Sequence, residues 1–454
     1  MSPHATATPT ATQNACKVCA PLGACLAFRG VEGAIPLVHG SQGCATYIRR
    51  YMIGHFREPM DVASSSFGER SAIFGGKDNL HKGLKNVIKQ YKPRLIGVAS
   101  SCLSETIGDD LRMLVRQFQE DRVGNDDPVV VPVSTPSYAG THDEGFHATV
   151  RAIIDRLTTT AGPRCGSMVN VLPGIVSPAD IRHLKEILRD FGLDHVVLPD
   201  YSDTLDGPAV AEYEPIPSGG SPLRGIARMA QADATLVLSS MLSPQQSGGA
   251  LLEERFGVPE RRLGLPIGVR QTDRFFRTLE DITGRPTPPV HALERGRLVD
   301  SYVDAHKYVF GKRVVVYGEE DLVVGLAAFL DEIGAVPIVC ASGGHSGRMQ
   351  KEIAAHLERG LGETVVLDGA DFADITEAAA VAQPDLLLGN SKGYSVARQL
   401  GVPLVRVGFP IHDRMGGQRV LHLSYRGAQQ LFDRIANELL RRMQDDCPVG
   451  HAHY

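Results

Sequence analysis

Three cysteines in the first quarter of the chain lie beside turn-forming residues. Cys19 begins Cys-Ala-Pro-Leu-Gly-Ala, Cys44 ends His-Gly-Ser-Gln-Gly-Cys, and Cys102 lies in Ser-Ser-Cys-Leu-Ser-Glu-Thr-Ile-Gly-Asp-Asp. Turns allow side chains that are distant in sequence to converge, and convergent thiolates are the ligands of iron–sulfur clusters. The segment from Cys16 to Asp110 is therefore predicted to form about half of such a site.

The cysteine spacing argues against a zinc site built from paired knuckles. Cys16 and Cys19 form one Cys-x-x-Cys pair, but no second pair accompanies it, whereas structural zinc sites combine two such pairs. Three thiolates without an obvious fourth predict that a partner chain completes the site. The sequence assigns no role to Cys25 or Cys16. Three other cysteines are predicted to be small buried side chains: Cys165, Cys340 and Cys447.

Polar groups near these turns could also contribute. Cys102 follows one predicted strand, and Ser137 follows the next strand along the chain. The Ser137 hydroxyl could therefore reach the same site or simply form a turn. Backbone N–H groups of residues 39–43 could approach sulfides. The acidic residues after Cys102 are expected on the first turn of a helix, where they favour the helix dipole: Glu105, Asp109 and Asp110.

Composition and charge exclude several protein classes. The 454 residues suggest two to four domains, and 43% hydrophobic with 22% charged residues is typical of a folded globular protein. A net charge of -5 argues against nucleic-acid binding. The sequence contains no long uncharged apolar run that would span a membrane. It also contains no Walker-type Gly-x-x-x-x-Gly-Lys motif, so ATP is not expected to bind through a P-loop.

Residues 1–13 are rich in Ala, Thr and Pro and lack the basic start and apolar centre of a signal peptide. They are predicted to form a short disordered tail. Eight cysteines without an export signal indicate a reducing cytoplasm, where thiols are retained for metal or redox use.

Short apolar strands alternate with amphipathic helices, which predicts an α/β fold with parallel sheets covered on both faces. The first clear buried strand is expected at Leu95–Ala99, with Cys102 just beyond its carboxyl end, where open parallel sheets place ligands. Further strands are predicted at Val129–Val133, Val169–Leu172, Val196–Leu198, Thr235–Leu238, Val314–Tyr317, Val336–Val339, Val365–Leu367, Leu386–Leu388 and Leu404–Val407. Helices are predicted at Ala45–Glu58, Asn79–Tyr91, Asp180–Phe191, Asp321–Ile333 and Gln350–Arg359.

Taken together, these segments closely resemble the β-type subunits of the nitrogenase family. The matching motifs run through nearly the whole chain, and both cysteine spacings agree with the family pattern. They are Cys19-Ala-Pro-Leu-Gly-Ala, His39-Gly-Ser-Gln-Gly-Cys44, His55-Phe-Arg-Glu-Pro59, Phe74-Gly-Gly76, Cys102-Leu-Ser-Glu-Thr-Ile-Gly-Asp-Asp110, Thr135-Pro-Ser-Tyr, Ser391-Lys-Gly and Gly408-Phe-Pro.

The resemblance implies the three Rossmann-like domains of the nitrogenase component 1 fold. With linkers expected at Thr158–Gly166 and around Arg285–Pro289, a cluster-binding domain spans 14–162 and a second domain spans 163–289. Residues 290–454 would form a bridging helix, Val290–Phe310, and the third domain.

The resemblance also implies an α-type partner, an α2β2 heterotetramer and a P-type iron–sulfur cluster at the α/β interface. Cysteines at the positions of Cys19, Cys44 and Cys102 bind that cluster in the family, and a serine at the position of Ser137 can ligate its oxidised form. An [8Fe–7S] cluster is favoured over [4Fe–4S]. Phe74 falls where the family's ATP-hydrolysing iron protein docks, in agreement with the missing P-loop.

The resemblance leaves the exact function open between an enzyme and an assembly scaffold. Local sequence such as Ala45-Thr-Tyr-Ile-Arg-Arg-Tyr is closer to the scaffold that matures the nitrogenase iron–molybdenum cofactor. The short N-terminus departs from molybdenum nitrogenase, and both features argue against dinitrogen as the substrate. Three thiolates plus Ser137 favour an enzyme. Nitrogenase-like methylthio-alkane reductases, which cleave carbon–sulfur bonds, reconcile both features and are the preferred interpretation. Substrate reduction is then expected on the partner's cofactor, with no catalytic residue in this chain. A purely structural subunit with core cysteines is the third hypothesis.

Overall fold

The computed structural model describes residues 14–121, 127–159, 162–358 and 360–449. Within these ranges thirteen strands form three separate sheets, and every strand pairing in them is parallel. Helices flank the sheets, so the predicted α/β class is confirmed. The predicted disordered tail, residues 1–13, lies outside the described ranges.

The first sheet has the strand order β2-β1-β3-β4. Its strands are β1 (Ala34–His39), β2 (Ala63–Ser64), β3 (Leu95–Ser100) and β4 (Val129–Val133). The helices of this region are α1 (Ala20–Arg29), α2 (Gln42–Phe56), α3 (Glu69–Phe74), α4 (Lys77–Tyr91), α5 (Cys102–Thr106), α6 (Leu111–Glu120) and α7 (His142–Leu157).

The second sheet has the order β6-β5-β7-β8 and the third has the order β11-β10-β9-β12-β13. Their strands are β5 (Met168–Leu172), β6 (Asp194–Val197), β7 (Ala234–Leu238), β8 (Glu260–Leu263), β9 (Arg313–Gly318), β10 (Val336–Ser342), β11 (Val365–Asp368), β12 (Leu386–Gly389) and β13 (Leu404–Arg406). The helices are α8 (Pro178–Asp190), α9 (Leu223–Ala227), α10 (Gly248–Phe256), α11 (Gly268–Thr283), α12 (Pro289–Val309), α13 (Glu320–Glu332), α14 (Met349–His356), α15 (Phe372–Ala382), α16 (Tyr394–Leu400) and α17 (Ser424–Asp445).

Local sequence explains why these elements form. All six residues of β3 are buried, as expected of a central strand covered on both faces. In α4 the buried residues Leu80, Leu84 and Val87 recur at helical spacing and cover the first sheet. Thr141 and Glu144 form a capping box that begins α7, which satisfies backbone N–H groups at the start of that helix.

All ten predicted strands overlap observed strands, but three strands were missed. The first buried strand is β1, not Leu95–Ala99 as predicted. Pro36 interrupts its apolar run, and Pro is tolerated there because short β2 pairs only with Leu37 and Val38. The other missed strands are the two-residue β2 and the charged edge strand β8, and neither has an apolar run.

The predicted helix Val290–Phe310 is confirmed as α12, which packs along the C-terminal helix α17. Its role as a bridge between two domains stays a prediction. The rings of Tyr302 and Phe432 lie 5.0 Å apart at this contact. The domain boundaries proposed from the sequence stay a prediction, and residues 160–161 of the first linker lie outside the described ranges. None of the helices that the structure describes is long and apolar enough to cross a membrane.

A buried carboxylate joins elements of the second and third sheet regions. Asp180, in α8, is fully buried and accepts the backbone N–H groups of His422 at 2.8 Å and Leu423 at 3.0 Å. The His422 imidazole Nδ1 lies 3.1 Å from the same carboxylate. Burial alone would raise the pKa of Asp180, but His422 and these N–H groups hold it below its usual value.

Candidate functional site

The three predicted site cysteines each lie at the start of a helix. Cys19 is the N-cap of α1, Cys44 lies in the first turn of α2, and Cys102 is the first residue of α5. The last two helices follow β1 and β3, which are neighbouring parallel strands. Their cysteines therefore emerge at the same carboxyl edge of the first sheet, where ligand sites of open α/β sheets form.

Ser137 connects the segment of Cys19 with the segment of Cys102. Its hydroxyl oxygen accepts the Ala20 N–H at 3.2 Å, and its own backbone N–H donates to the Cys102 sulfur at 3.3 Å. In addition, the Val18 carbonyl accepts the His142 N–H at 3.0 Å, which fixes the segment just before Cys19 against α7. The structure thus brings Ser137 to the site as predicted, while its ligation of a cluster stays a prediction.

The turns before Cys44 and Cys102 pack directly against each other. A Cβ at Gly40 would lie 2.0 Å from the Ser101 hydroxyl oxygen, so only glycine allows this approach. The Gly40 N–H donates to the Ser65 hydroxyl at 2.9 Å, so this N–H is not directed to a sulfide. The Gly43 N–H donates weakly to Ser41, the N-cap of α2, at 3.3 Å.

The three thiols are free and exposed, yet close enough to affect one another. Burial of the sulfur raises the pKa of Cys19, the Leu22 N–H lowers it, and the Cys44 and Cys102 thiolates raise it further. Burial also raises the pKa of Cys44, as does Cys102. Negative charges on these sulfurs would repel one another, and a positive group between them would relieve that repulsion.

The arrangement does not suit a single metal ion. Among the residues that the structure describes, no three His, Cys, Asp or Glu side chains are grouped closely enough to bind one. Cys16 is 5% exposed and Cys25 is fully buried, so neither is exposed beside the thiols of Cys19, Cys44 and Cys102. Burial raises the pKa of Cys16 to about 12.

The prediction that three further cysteines are buried holds only in part. Cys340 is buried in β10, as predicted, and Cys447 is half-buried. The prediction is wrong for Cys165, which is exposed in the connection after α7, where no sheet covers it.

Phe74 is the last residue of α3 and is 79% exposed, beside Ile73 at 74%. Gly75 ends this helix with a φ of +88°, a conformation that favours glycine. The two apolar side chains form an exposed patch, which is compatible with the predicted docking surface. Docking itself stays a prediction.

The prediction that the acidic residues after Cys102 share the first turn of one helix is wrong. Glu105 lies in α5 and bonds Ser134, and Asp110 is the N-cap of α6, where it accepts the Met113 N–H at 3.0 Å. Asp109 lies between the two helices and bonds residues from two other segments, as described below. Sequence reasoning missed this role because both partners of Asp109 are distant along the chain.

Comparison with known proteins identifies the family. Residues 19–440 match the family described as nitrogenase component 1 type oxidoreductase. The nitrogenase molybdenum–iron protein beta chain of Clostridium pasteurianum is 37% identical over 436 residues, covering 96% of this chain and 94% of that protein. The vanadium–iron protein beta chain of Trichormus variabilis is 35% identical, covering 94% of this chain and 93% of that protein.

The fold agrees with solved structures of the same family. A chain of nitrogenase Cp1 at pH 6.5 superposes with a TM-score of 0.94 at 35% identity, covering 99% of this chain and 98% of that chain. A chain of nitrogenase Cp1 at pH 5 has a TM-score of 0.71 at 17% identity, which shows the fold alone. The chain therefore belongs to the nitrogenase component 1 family of oxidoreductases, as a β-type subunit.

Proposed function

We propose that this chain is the β-type subunit of a nitrogenase-like reductase complex. Electrons from an ATP-dependent iron protein would pass through a P-type iron–sulfur cluster at the α/β interface to a cofactor in the α-type partner. The observation that carries the proposal is that Cys19, Cys44 and Cys102 are free, exposed thiols close enough for their charges to act on one another. The Ser137 backbone N–H also donates to the Cys102 sulfur.

These residues fit one half of a cluster shared between two chains. Exposed thiols at one edge of a sheet leave room for thiolates of a partner, and their mutual repulsion calls for the positive charge of several irons. We favour an [8Fe–7S] cluster, because a [4Fe–4S] cluster needs fewer ligands from this side. When bound, the cluster supplies one-electron transfer. The Ser137 N–H, which donates to the Cys102 sulfur, would stabilise negative charge there and so raise the reduction potential of a bound cluster.

The proposed partners follow from the same division of roles. An α-type subunit would cover the thiol-bearing face and carry the substrate-reducing cofactor, in an α2β2 heterotetramer. The iron protein would bind the exposed patch of Ile73 and Phe74, hydrolyse ATP and deliver electrons, since this chain has no P-loop motif. The complex would work in the cytoplasm, where thiols stay reduced.

For the substrate, we propose a methylthio-alkane whose carbon–sulfur bond is cleaved reductively. Three thiols with Ser137 support an enzyme rather than a scaffold. Local sequence resemblance to the scaffold branch supports a substrate other than dinitrogen. Dinitrogen reduction is the second candidate, because the relatives described above are named nitrogenase beta chains.

The test is iron quantitation and electron paramagnetic resonance on the purified α/β complex. Cys44→Ala should remove or remodel the cluster without unfolding the chain, because Cys44 is exposed. Cys165→Ala is the matched control, since Cys165 is also an exposed free thiol but lies outside the cysteine turns. Unchanged iron content and spectrum in Cys44→Ala would refute the cluster assignment.

Turnover then separates the candidate functions. The complex is mixed with its iron protein and ATP and offered a small thioether or dinitrogen. Multiple turnovers of the thioether support the proposal, and ammonia formation supports the second candidate. Transfer of a cofactor precursor to apo-nitrogenase, without turnover of either substrate, would identify the scaffold.

A further inference from the structure

One histidine joins the segments that the proposed function places at the cluster and at the docking patch. His39 is the last residue of β1, and its side chain is fully buried. Its Nδ1 lies 3.1 Å from the Ser65 hydroxyl, and its Nε2 lies 3.1 Å from an Asp109 carboxylate oxygen. Both ring nitrogens therefore have partners, and the ring orientation is determined by two segments other than its own.

Asp109 extends this contact to the end of α3, the helix that carries Phe74. The Gly76 N–H donates to both carboxylate oxygens, at 3.0 and 3.2 Å, and Gly76 lies just beyond Phe74. A Cβ at Gly76 would lie 2.7 Å from the Asp109 carboxylate and 2.2 Å from the Phe67 ring. The end of α3 is therefore pressed against Asp109 without spare room, so displacement of either must move the other.

His39 is also connected to the turns of Cys44 and Cys102. Its carbonyl accepts the N–H of Ser101, the residue before Cys102, at 3.0 Å. The chain after His39 leads through the tight Gly40 turn to Cys44. The Phe67 ring packs edge-on against the His39 ring at 4.8 Å, which helps to hold the orientation of the imidazole.

The protonation of the ring follows from the same surroundings. Burial lowers the pKa of His39, and Asp109 only partly opposes this effect. The neutral imidazole then donates its Nε2–H to the Asp109 carboxylate and accepts the Ser65 hydroxyl at Nδ1. The Asp109 carboxylate thus bonds both the His39 ring and the Gly76 N–H, so it connects the end of β1 directly to the end of α3.

We propose that His39 and Asp109 are positioning residues that relay docking at Phe74 to the turns of Cys44 and Cys102. Electron transfer within the docked complex then depends on this pair, whereas docking itself depends on the apolar patch. This inference rests on the proposed function, because it requires a cluster at the cysteines and a donor protein at Phe74.

Two substitutions disturb the relay in different ways. Asp109→Asn keeps the shape of the side chain but removes its charge. Gly76→Ala keeps every hydrogen-bonding group and adds a methyl group against Asp109 and Phe67. The matched control is His291→Gln in α12, which also alters a buried histidine between carboxylates, those of Asp190 and Glu294.

The measurements are iron content, resonance spectrum without the iron protein, and stopped-flow electron transfer from the iron protein in the full α/β complex. We expect complete iron and an unchanged spectrum in both variants. The transfer rate at saturating iron protein should fall about tenfold, as for a barrier raised by about 1.4 kcal/mol. The half-saturating iron-protein concentration should change less than about twofold, and the control should match the wild type in all readouts.

A wild-type transfer rate in both iron-loaded variants would overturn the relay. Loss of iron from both variants would also overturn it, because His39 and Asp109 would then be needed to hold the cluster rather than to relay docking. Failure of the proposed function is separately visible: the wild-type complex would then lack the cluster, or Phe74→Ala would leave iron-protein binding unchanged. If the wild-type complex holds the cluster and Phe74→Ala weakens iron-protein binding, a negative result in the two variants contradicts only the relay.

Discussion

Replacement of Phe74 by alanine tests the docking surface with little risk to the fold. Phe74 is 79% exposed at the end of α3, so its ring contributes little to the folded subunit. Burying a whole Phe side chain gains about 1.5–3 kcal/mol, so covering the exposed part in a complex is worth about 2 kcal/mol. Since about 1.4 kcal/mol corresponds to tenfold in affinity, Phe74→Ala should weaken iron-protein binding about 30-fold.

The assay is electron transfer or ATP-coupled turnover of the α/β complex, titrated with the iron protein. We expect a higher half-saturating concentration and a nearly unchanged maximal rate, because the substitution leaves the three cysteine turns unchanged. Val381→Ala is the matched control, since Val381 is an equally exposed apolar side chain at 83%, on α15 of the third sheet region. It should titrate like the wild type.

A half-saturating concentration that changes less than about twofold in Phe74→Ala would refute this reasoning, since a covered aromatic side chain is expected to contribute more than that. The patch would then face solvent or another subunit during electron delivery. A large fall in the maximal rate, with unchanged half-saturation, would instead mean that the ring acts after binding.

Three further predictions concern single side chains. Ser137→Ala removes the oxygen that accepts the Ala20 N–H but keeps the backbone N–H on sulfur. Iron content and the reduced-state spectrum should stay unchanged, while the oxidised-state spectrum changes. Burial raises the pKa of Glu320 to about 7 from 4.5, so its ionisation destabilises the fold as pH rises through that window. Glu320→Gln should therefore raise the melting temperature more at pH 8 than at pH 5.5, measured by scanning fluorimetry. Asp180→Ala leaves buried donors unpaired, which costs about 3–5 kcal/mol, so its melting temperature should fall clearly below that of Asp180→Asn. An equal melting temperature in the two variants would contradict that account.

Hydrophobic periodicity and motifs predicted most of the strands. The run Leu95–Ser100 is continuous, apolar and bounded by polar residues, so β3 was predicted within one residue. β1 was missed because Pro36 breaks the pattern, and that proline is acceptable because the neighbouring strand β2 does not extend as far as Pro36. β8 was missed because an edge strand need not be apolar. Strand neighbours decide both cases, and neighbours are a property of the assembled sheet.

The site shows the same contrast between local sequence information and tertiary contacts. Cys19, Cys44 and Cys102 were selected from turn residues and family motifs, which are local along the chain. Asp109 was assigned to a helix dipole, because nothing within several residues of it suggests that His39 is its partner. Only the parallel pairing of β1 with β3 brings their carboxyl ends, and with them these two side chains, to one place.

The sequence alone therefore determined the fold class, the family resemblance and the candidate thiols, because apolar periodicity and turn chemistry depend on neighbouring residues. The tertiary structure decided which thiols are exposed together, which cysteines are buried and which carboxylates have partners. Burial and hydrogen bonding depend on where distant segments meet, and the order of strands in the first sheet places α3, His39 and both cysteine turns side by side.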